Sequence, residues 1–251
     1  MGILLALQFF SVLPIKKALP MTRATITAMY STMPVVGVLF GAILMAVYEG
    51  LVRTDVSTLF LTIALIVVHI ICTGGLHLDG YIDVSDAYFS YGERTIRLEI
   101  LEDPRTGAFG VISVIVLLLL HVAALYELLT QQYAYTWLLL LVVPILLRCG
   151  VMLYFSTMPC AKEKGIAYYF VKNMNVVVVK AITWIVLIML VIVALLVQVY
   201  VIIAAVVMQL LIVYIYRKWS IKHFGGMNGD LSGALYEGSQ VLLWLTLLLF
   251  I

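Results

Sequence analysis

The stretch VVVVKAITWIVLIMLVIVALLVQVYVIIAAVVMQLLIVYIY, residues 176–216, contains one charged side chain, Lys180. A helix rises about 1.5 Å per residue, so this stretch would extend about 60 Å as one helix. The hydrocarbon core of a bilayer is only about 30 Å thick. The chain must therefore fold back on itself, and we place the turn near Gln198–Tyr200, between two membrane-spanning helices.

The composition of the whole chain agrees with this reading. Of its 251 residues, 65% are hydrophobic and 11% are charged, and the mean hydropathy is +1.16. Soluble domains are about 45–50% apolar and about 25% charged. A large soluble helical core is excluded because too few polar residues remain to cover it. We predict an all-α polytopic helical bundle in which residues 1–251 form a single membrane-embedded catalytic domain.

Apolar runs between charged breaks predict about seven transmembrane helices. The N-terminal stretch MGILLALQFFSVLP is too short to span, and its basic residues Lys16 and Lys17 follow the apolar part. That order is wrong for a secretory signal, so we expect a short interfacial helix. The predicted spans are residues 30–50, 57–75, 108–129, 136–155, 177–197, 200–216 and 232–251.

The basic residues are distributed unequally between the two sides of the predicted bundle. If the loops alternate, 13 of the 15 Lys and Arg residues fall on one side, whereas Arg53 lies on the other and Arg148 within a span. The positive-inside rule assigns the basic side to the cytoplasm. Ten of the 13 acidic residues lie on the same side, so we expect the active site there.

Three acidic residues follow the second predicted span in GGLHLDGYIDVSDAYFS, residues 74–90. On a helix, the spacing of Asp79, Asp83 and Asp86 places all three within an arc of about 60°. Crowded carboxylates disfavour one another's ionised form, and a bound Mg²⁺ would remove that cost. Ordinary solvated charges at a helix end are the alternative reading. His77 is either a general base or a structural hydrogen-bonding group.

Two further stretches on the same predicted side carry groups suited to phosphate. EDPRTGAFG, residues 102–110, precedes the third span, and FGGMNGDLSGALYEGSQ, residues 224–240, leads into the last. A glycine-rich turn before a helix offers backbone N–H groups to phosphate, and arginine can bind it bidentately. By contrast, we read AKEKG, residues 161–165, most simply as a basic loop facing lipid, with a contact from Lys162 to an anionic substrate as the alternative. The candidate substrate- and phosphate-binding residues are Asp103, Arg105, Arg148, Gly226, Asn228, Asp230 and Glu237.

These motifs resemble the cobalamin synthase family, whose members are also called adenosylcobinamide-GDP ribazoletransferases. The resemblance rests on GGLHLDG with the two following aspartates, on DPRTGAFG, on Arg148 and on GGMNGDLSGALYE. The N-terminal LQFFSVLPI and MPVVGVLFG stretches are also similar, so the resemblance covers nearly the whole chain. Asn228 departs from the family pattern, in which threonine is usual.

The resemblance implies a Mg²⁺-dependent enzyme of the bacterial inner membrane with a cytoplasmic active site. It would join α-ribazole, or its 5′-phosphate, to adenosylcobinamide-GDP and release GMP. Asp79, Asp83 and Asp86 would hold the metal, and one of them or His77 would activate the attacking hydroxyl. We expect the lipid bilayer as surroundings and no nucleic acid as partner. A homo-oligomer, or contact with other cobalamin-assembly enzymes, stays open.

Two other functions compete with this hypothesis. CDP-alcohol phosphatidyltransferases also bind Mg²⁺ through an acidic membrane helix, but their motif continues Asp-Gly-x-x-Ala-Arg. Here the last two places are Asp83 and Val84. A carboxylate-dependent transporter would show polar groups in the middle of broken helices. The clean stretch 176–216 argues against it.

Overall fold

The computed structural model describes all residues, 1–251, and consists of twelve helices without strands. The loops between them are short, apart from residues 11–22 after the first helix. The helices are α1 Gly2–Phe10, α2 Arg23–Ser31, α3 Met33–Leu51, α4 Thr58–Thr73, α5 Leu76–Phe89, α6 Arg94–Ile100, α7 Ala108–Thr130, α8 Thr136–Thr157, α9 Gly165–Asn173, α10 Val176–Leu196, α11 Val201–Phe224 and α12 Gly229–Phe250.

Six helical segments are long and apolar enough to cross a membrane, and a bent pair brings the number to as many as seven. The bent pair is α4 and α5, whose axes differ by 92°. The predicted polytopic helical bundle is therefore confirmed. The turn between α10 and α11 lies at residues 197–200, as the stretch 176–216 predicted, and Gln198 adopts a φ of 58° there.

The predicted span boundaries differ from the observed ones where charge was taken as the end of a helix. Helix α11 continues from residue 216 to Phe224 although it carries Arg217, Lys218 and Lys222. Long basic side chains can extend their charge toward water while the backbone stays helical. The helix ends at Gly225, whose φ of 78° is a conformation that glycine adopts at no steric cost.

Helix α8 is the central helix of the bundle, and 94% of its apolar membrane-spanning stretch is buried inside the protein. Helix α3 packs most extensively against it. A Cβ atom on Gly37 would lie 2.8 Å from the Cα of Ile145, and one on Gly41 would lie 2.7 Å from the Cα of Leu141. These glycines permit the close approach of two backbones that transmembrane helix packing favours.

The corner between α4 and α5 directs α5 across the end of the bundle. Gly74 and Gly75 both have positive φ, 65° and 73°, and together they turn the chain within two residues. Helix α5 then packs against α12 and α7. The acidic residues of α5 are thereby brought to the first turns of two other helices.

The predicted N-terminal helix is present and packs into the bundle. In α1, Leu5 and Ala6 are fully buried, and the helix lies mainly against α2. A Cβ atom on Gly2 would collide with Ala28, so the two helices touch at that point. Helix α1 thus contributes to the core, and its last residue, Phe10, reaches the interior of the protein.

Candidate active site

The three aspartates of α5 lie on one face of that helix, as their spacing predicts. Asp79 is exposed, and Asp83 and Asp86 are partly exposed. Asp83 lies within electrostatic range of Asp79, of Asp86 and of Asp230 at the start of α12. We call these four residues the acidic cluster.

Gly80 allows α12 to bring Asp230 into the acidic cluster. A Cβ atom at position 80 would lie 2.8 Å from both the Cα and the carbonyl oxygen of Asp230. The side chain of Asn228 caps α12 by accepting a hydrogen bond from the Leu231 N–H at 2.8 Å. Its amide group also donates to Asp230 Oδ2 at 2.9 Å, which orients that carboxylate.

The first turn of α7 closes the third side of the cluster. The Gly110 N–H donates a long hydrogen bond, 3.4 Å, to Asp86 Oδ1. A Cβ atom on Gly107 would collide with the Asp86 carboxylate. Three chain segments, far apart in sequence, therefore meet at the acidic residues.

The charge of the acidic cluster is not neutralised within the protein. The four ion pairs of the structure involve other residues, and the cluster contains no cation. No group of three or more His, Cys, Asp or Glu side chains is close enough to enclose a metal ion by itself. Mg²⁺ commonly takes one or two carboxylates, with waters and substrate phosphates completing its coordination. An uncompensated, solvent-accessible set of carboxylates fits that requirement.

A cavity of about 360 Å³, which we call the lysine-lined cavity, adjoins the acidic cluster at Asp230, and its charged lining residues are Lys162, Lys164, Glu102 and Asp230. Lys162 lines it, donates to the Leu98 carbonyl oxygen at 3.0 Å and pairs with Glu102 at 2.8 Å. Lys164 pairs with the same carboxylate at 3.1 Å. Lys162 therefore faces this cavity, and its contact with an anionic substrate, the alternative reading, stays a prediction. This loop is turned toward the site by its contacts with α6 and with the start of α12. The sequence alone does not predict these contacts.

The glycine-rich turn before α12 uses its backbone mainly for packing. A Cβ atom on Gly226 would lie 2.5 Å from the Pro159 carbonyl oxygen. The Met227 N–H donates to that same oxygen at 2.8 Å. The phosphate-binding role of Gly226 stays a prediction. The first N–H groups of α12, at Gly229 and Asp230, have no acceptor within the helix and border the cavity.

Asp103 and Arg105 face each other in the loop between α6 and α7. Arg105 Nη2 lies 2.6 Å from Asp103 Oδ2, and the arginine side chain is 87% exposed. Hydrogen bonds from Arg105 lower the pKa of Asp103 to about 2. Neither residue contacts the acidic cluster in this conformation, so their role in phosphate binding stays a prediction.

Arg148 and His77 lie inside the bundle and have no contact with solvent. Arg148 is fully buried and donates to His77 Nε2 at 2.9 Å and to the Phe10 carbonyl oxygen at 3.2 Å. The guanidinium also lies 4.8 Å from the ring centre of Tyr236, which stacks on His77. His77 accepts at Nε2, so it holds a neighbouring helix rather than facing a substrate hydroxyl.

Glu237 belongs with Arg148 rather than with the acidic cluster. It lies two helical turns beyond Asp230, about 10 Å along α12, and is only 6% exposed. The positive charge of Arg148 acts on it. Below this level, His69 bonds to the Tyr236 hydroxyl at 2.8 Å and to the Gln240 amide at 2.7 Å. The sequence placed Asp230 and Glu237 on one face of a helix. In the structure Asp230 belongs to the acidic cluster, whereas Glu237 belongs to the buried surroundings of Arg148.

The fold and these groups define a polytopic helical membrane protein with an acidic cluster beside a lysine-lined cavity at one end of the bundle. The family model of cobalamin-5-phosphate synthase matches residues 2–248. The chain therefore belongs to the cobalamin-5-phosphate synthase family, which consists of transferases of cobalamin biosynthesis.

Curated relatives agree over nearly the full length. The adenosylcobinamide-GDP ribazoletransferase of Geobacillus kaustophilus is 35% identical over 97% of this chain and 93% of its own. Those of Halalkalibacterium halodurans and Clostridium botulinum strain Loch Maree are 34% and 31% identical, over 97% and 98% of this chain and 93% and 96% of their own. No solved structure matches.

Proposed function

We propose that this protein joins α-ribazole, or α-ribazole 5′-phosphate, to adenosylcobinamide-GDP and releases GMP in a Mg²⁺-dependent reaction. The family and the names of the relatives support the reaction class. The observation that carries the proposal is the convergence of Asp79, Asp83, Asp86 and Asp230, without a counter-ion, beside the lysine-lined cavity.

The reaction would replace a phosphoanhydride bond with a phosphodiester bond. A ribazole hydroxyl attacks the phosphorus attached to the cobinamide arm, a new P–O bond forms, and the pyrophosphate bond to GMP breaks. Lys162 and the α12 N-terminus, which border the cavity, suit the guanosine-bearing phosphates. An aspartate accepts the hydroxyl proton, a role that the exposed Asp79 suits better than the buried His77.

Mg²⁺ would be held by one or two carboxylates of the acidic cluster, with waters and substrate phosphates as its other ligands. When bound, it would neutralise phosphate charge and help to orient the diphosphate. Without it, four carboxylates would repel a substrate that is itself anionic. This requirement supports a divalent cation as part of the substrate complex rather than as a permanently caged ion.

The first experiment uses purified protein in detergent with adenosylcobinamide-GDP and α-ribazole, with and without Mg²⁺. We expect cobalamin and GMP in equal amounts only when Mg²⁺ is present. Asp79→Asn should abolish turnover while membrane insertion stays normal. The matched control is Asp55→Asn in the loop between α3 and α4, outside the site, which should turn over normally. Turnover by Asp79→Asn at the normal rate would remove Asp79 from the site.

The same assay separates the competing functions. A phosphatidyltransferase would release CMP from a CDP-alcohol donor, and a transporter would release no nucleotide. We also propose that the site faces the cytoplasm of the inner membrane, which the uneven charge distribution supports. A membrane-impermeant thiol reagent should then label Asp55→Cys, but not Arg105→Cys, in right-side-out vesicles. Both variants would be made in a cysteine-free background. The opposite pattern would invert the assigned orientation.

A further inference from the structure

A second basic feature lies away from the acidic cluster, in a crevice between α8, α10 and α11. Its volume is about 220 Å³, and both cations that line it, Lys180 and Arg217, lie near the same end of the bundle. Because α10 and α11 form an antiparallel hairpin, the fifth residue of one lies beside the last turns of the other.

The positive charge of this crevice has no counter-ion. Neither Lys180 nor Arg217 takes part in any of the four ion pairs. Helices α8, α10 and α11 contain no Asp or Glu at all. Arg217 donates one hydrogen bond, to the Thr157 carbonyl oxygen at 3.0 Å, whereas its Nε is buried without an acceptor. Two cations that line one crevice, with no acidic side chain on any of its three helices, provide a site for an anion from outside the chain.

The remaining lining of the crevice is apolar and open on the outer surface of the bundle. Trp184 lies one helical turn from Lys180 and is 47% exposed, and Tyr214 lies one turn from Arg217 and is 54% exposed. Tryptophan and tyrosine are enriched at the level of the lipid headgroups, with hydrocarbon on one side and water on the other. Leu210 and Val213 continue the apolar wall along α11.

We propose that this crevice binds the headgroup of an anionic phospholipid. The phosphate lies between Lys180 and Arg217, and an acyl chain follows Trp184 and Leu210 into the bilayer. A free phosphate would use only the cations and leave the apolar wall without a partner, so the lining favours a lipid. The bound lipid would also fill the gap beside α10, which is the least buried of the spanning helices. Lipid binding in this crevice does not depend on the reaction proposed above.

The test uses purified full-length protein in phosphatidylcholine nanodiscs that contain increasing amounts of phosphatidylglycerol with brominated acyl chains. Bromine quenches tryptophan fluorescence only on contact. We expect saturable quenching at a low fraction of brominated phosphatidylglycerol, and none beyond the bulk level with brominated phosphatidylcholine. The Trp184→Phe variant should lose this quenching, because the other tryptophans lie outside the crevice.

Substitutions of Lys180 and Arg217 test whether the positive charge of the crevice binds the lipid. Lys180→Gln together with Arg217→Gln should weaken apparent binding about thirtyfold, as expected for the loss of two basic groups near a membrane surface. The control, Lys172→Gln with Lys222→Gln, removes the same charge outside the crevice and should leave binding unchanged. Lys180→Gln alone, with its melting temperature checked in phosphatidylcholine, keeps the test valid if Arg217 is needed for folding.

Two outcomes would overturn the proposal. Equal losses in the crevice variant and in the control variant would mean that only the overall surface charge attracts anionic lipid. Complete competition by millimolar glycerol phosphate or inorganic phosphate would mean that the crevice binds a soluble anion. Binding that resists those anions and depends on Lys180 supports a lipid.

Discussion

Two polar regions lie along α5 and α12, and they are built on opposite principles. The acidic cluster at the end of the bundle is exposed and contains four carboxylates with no cation. The Arg148 region, one to two turns deeper, is buried and pairs its guanidinium with His77, Phe10 and Tyr236. The uncompensated negative charge of the first region suits a bound cation. In the second region the Arg148 guanidinium, hydrogen-bonded at both Nη groups but not at Nε, links α8 to α5, α1 and α12.

The largest expected effect separates activity from stability in the acidic cluster. Asp83→Asn should lower kcat by more than about 100-fold, because it removes a carboxylate that would help to neutralise the reacting phosphates. The same change relieves repulsion from its three acidic neighbours. It should therefore raise the melting temperature in Mg²⁺-free buffer by about 2–4 °C, or about 1 kcal/mol. A lower melting temperature would mean that the cluster is structural.

The next effect is the reverse, a loss of stability in the Arg148 region. Arg148→Met leaves His77 Nε2 and the Phe10 carbonyl oxygen without their donor, which should cost about 2–4 kcal/mol. Thermal unfolding in detergent measures this loss, and Arg53→Met, an exposed arginine, serves as the control. A variant that melts normally but has lost turnover would instead identify Arg148 as a substrate-binding residue, as the sequence suggested.

A smaller effect tests the contact between the two helices that carry both regions. Gly80→Ala places a Cβ atom 2.8 Å from the Asp230 backbone, which cannot move aside as a side chain can. We expect a loss of about 1–3 kcal/mol and about tenfold lower kcat, since Asp230 is displaced. Gly238→Ala on α12 is the matched control, because nothing lies within 4 Å of its added methyl group. Equal effects from both variants would dismiss the close contact as the cause.

The lysine-lined cavity should affect substrate binding more than the chemical step. Lys162→Ala is expected to raise the KM for adenosylcobinamide-GDP about five- to tenfold with little change in kcat, as loss of uniform binding does. Lys172→Ala, in α9 outside the cavity, controls for the loss of one positive charge. An unchanged KM would move the phosphates out of this cavity.

The smallest effect concerns the exposed pair of Asp103 and Arg105. A carboxyl group whose pKa is lowered by folding stabilises the protein at pH values above its ordinary pKa. That stabilisation is lost only as the pH falls through the pKa of the folded protein, here about 2 for Asp103. Both side chains face solvent, so screening keeps the contribution small. Arg105→Gln should change the melting temperature by less than about 1 °C, equally at pH 7 and pH 5. A large change in KM would place Arg105 at the substrate.

The sequence predicted the helical spans and the single face of Asp79, Asp83 and Asp86, because both depend only on local periodicity and hydrophobicity. It also identified the three segments that meet at the site. It placed Arg148 within a span but did not show that Glu237 is buried beside it, away from the acidic cluster, and the binding role of both residues stays a prediction. The burial of these side chains depends on how the helices pack in the bundle, and no local sequence pattern determines that packing.

By itself, the sequence determined that this chain crosses a membrane many times and gathers acidic groups at one boundary. An apolar run must leave water, and the spacing of charges along a helix is fixed by the helix itself. Only the tertiary structure decided which charges stay without partners. Burial and pairing depend on neighbours from distant segments, such as Gly80 against Asp230 and Arg148 against His77.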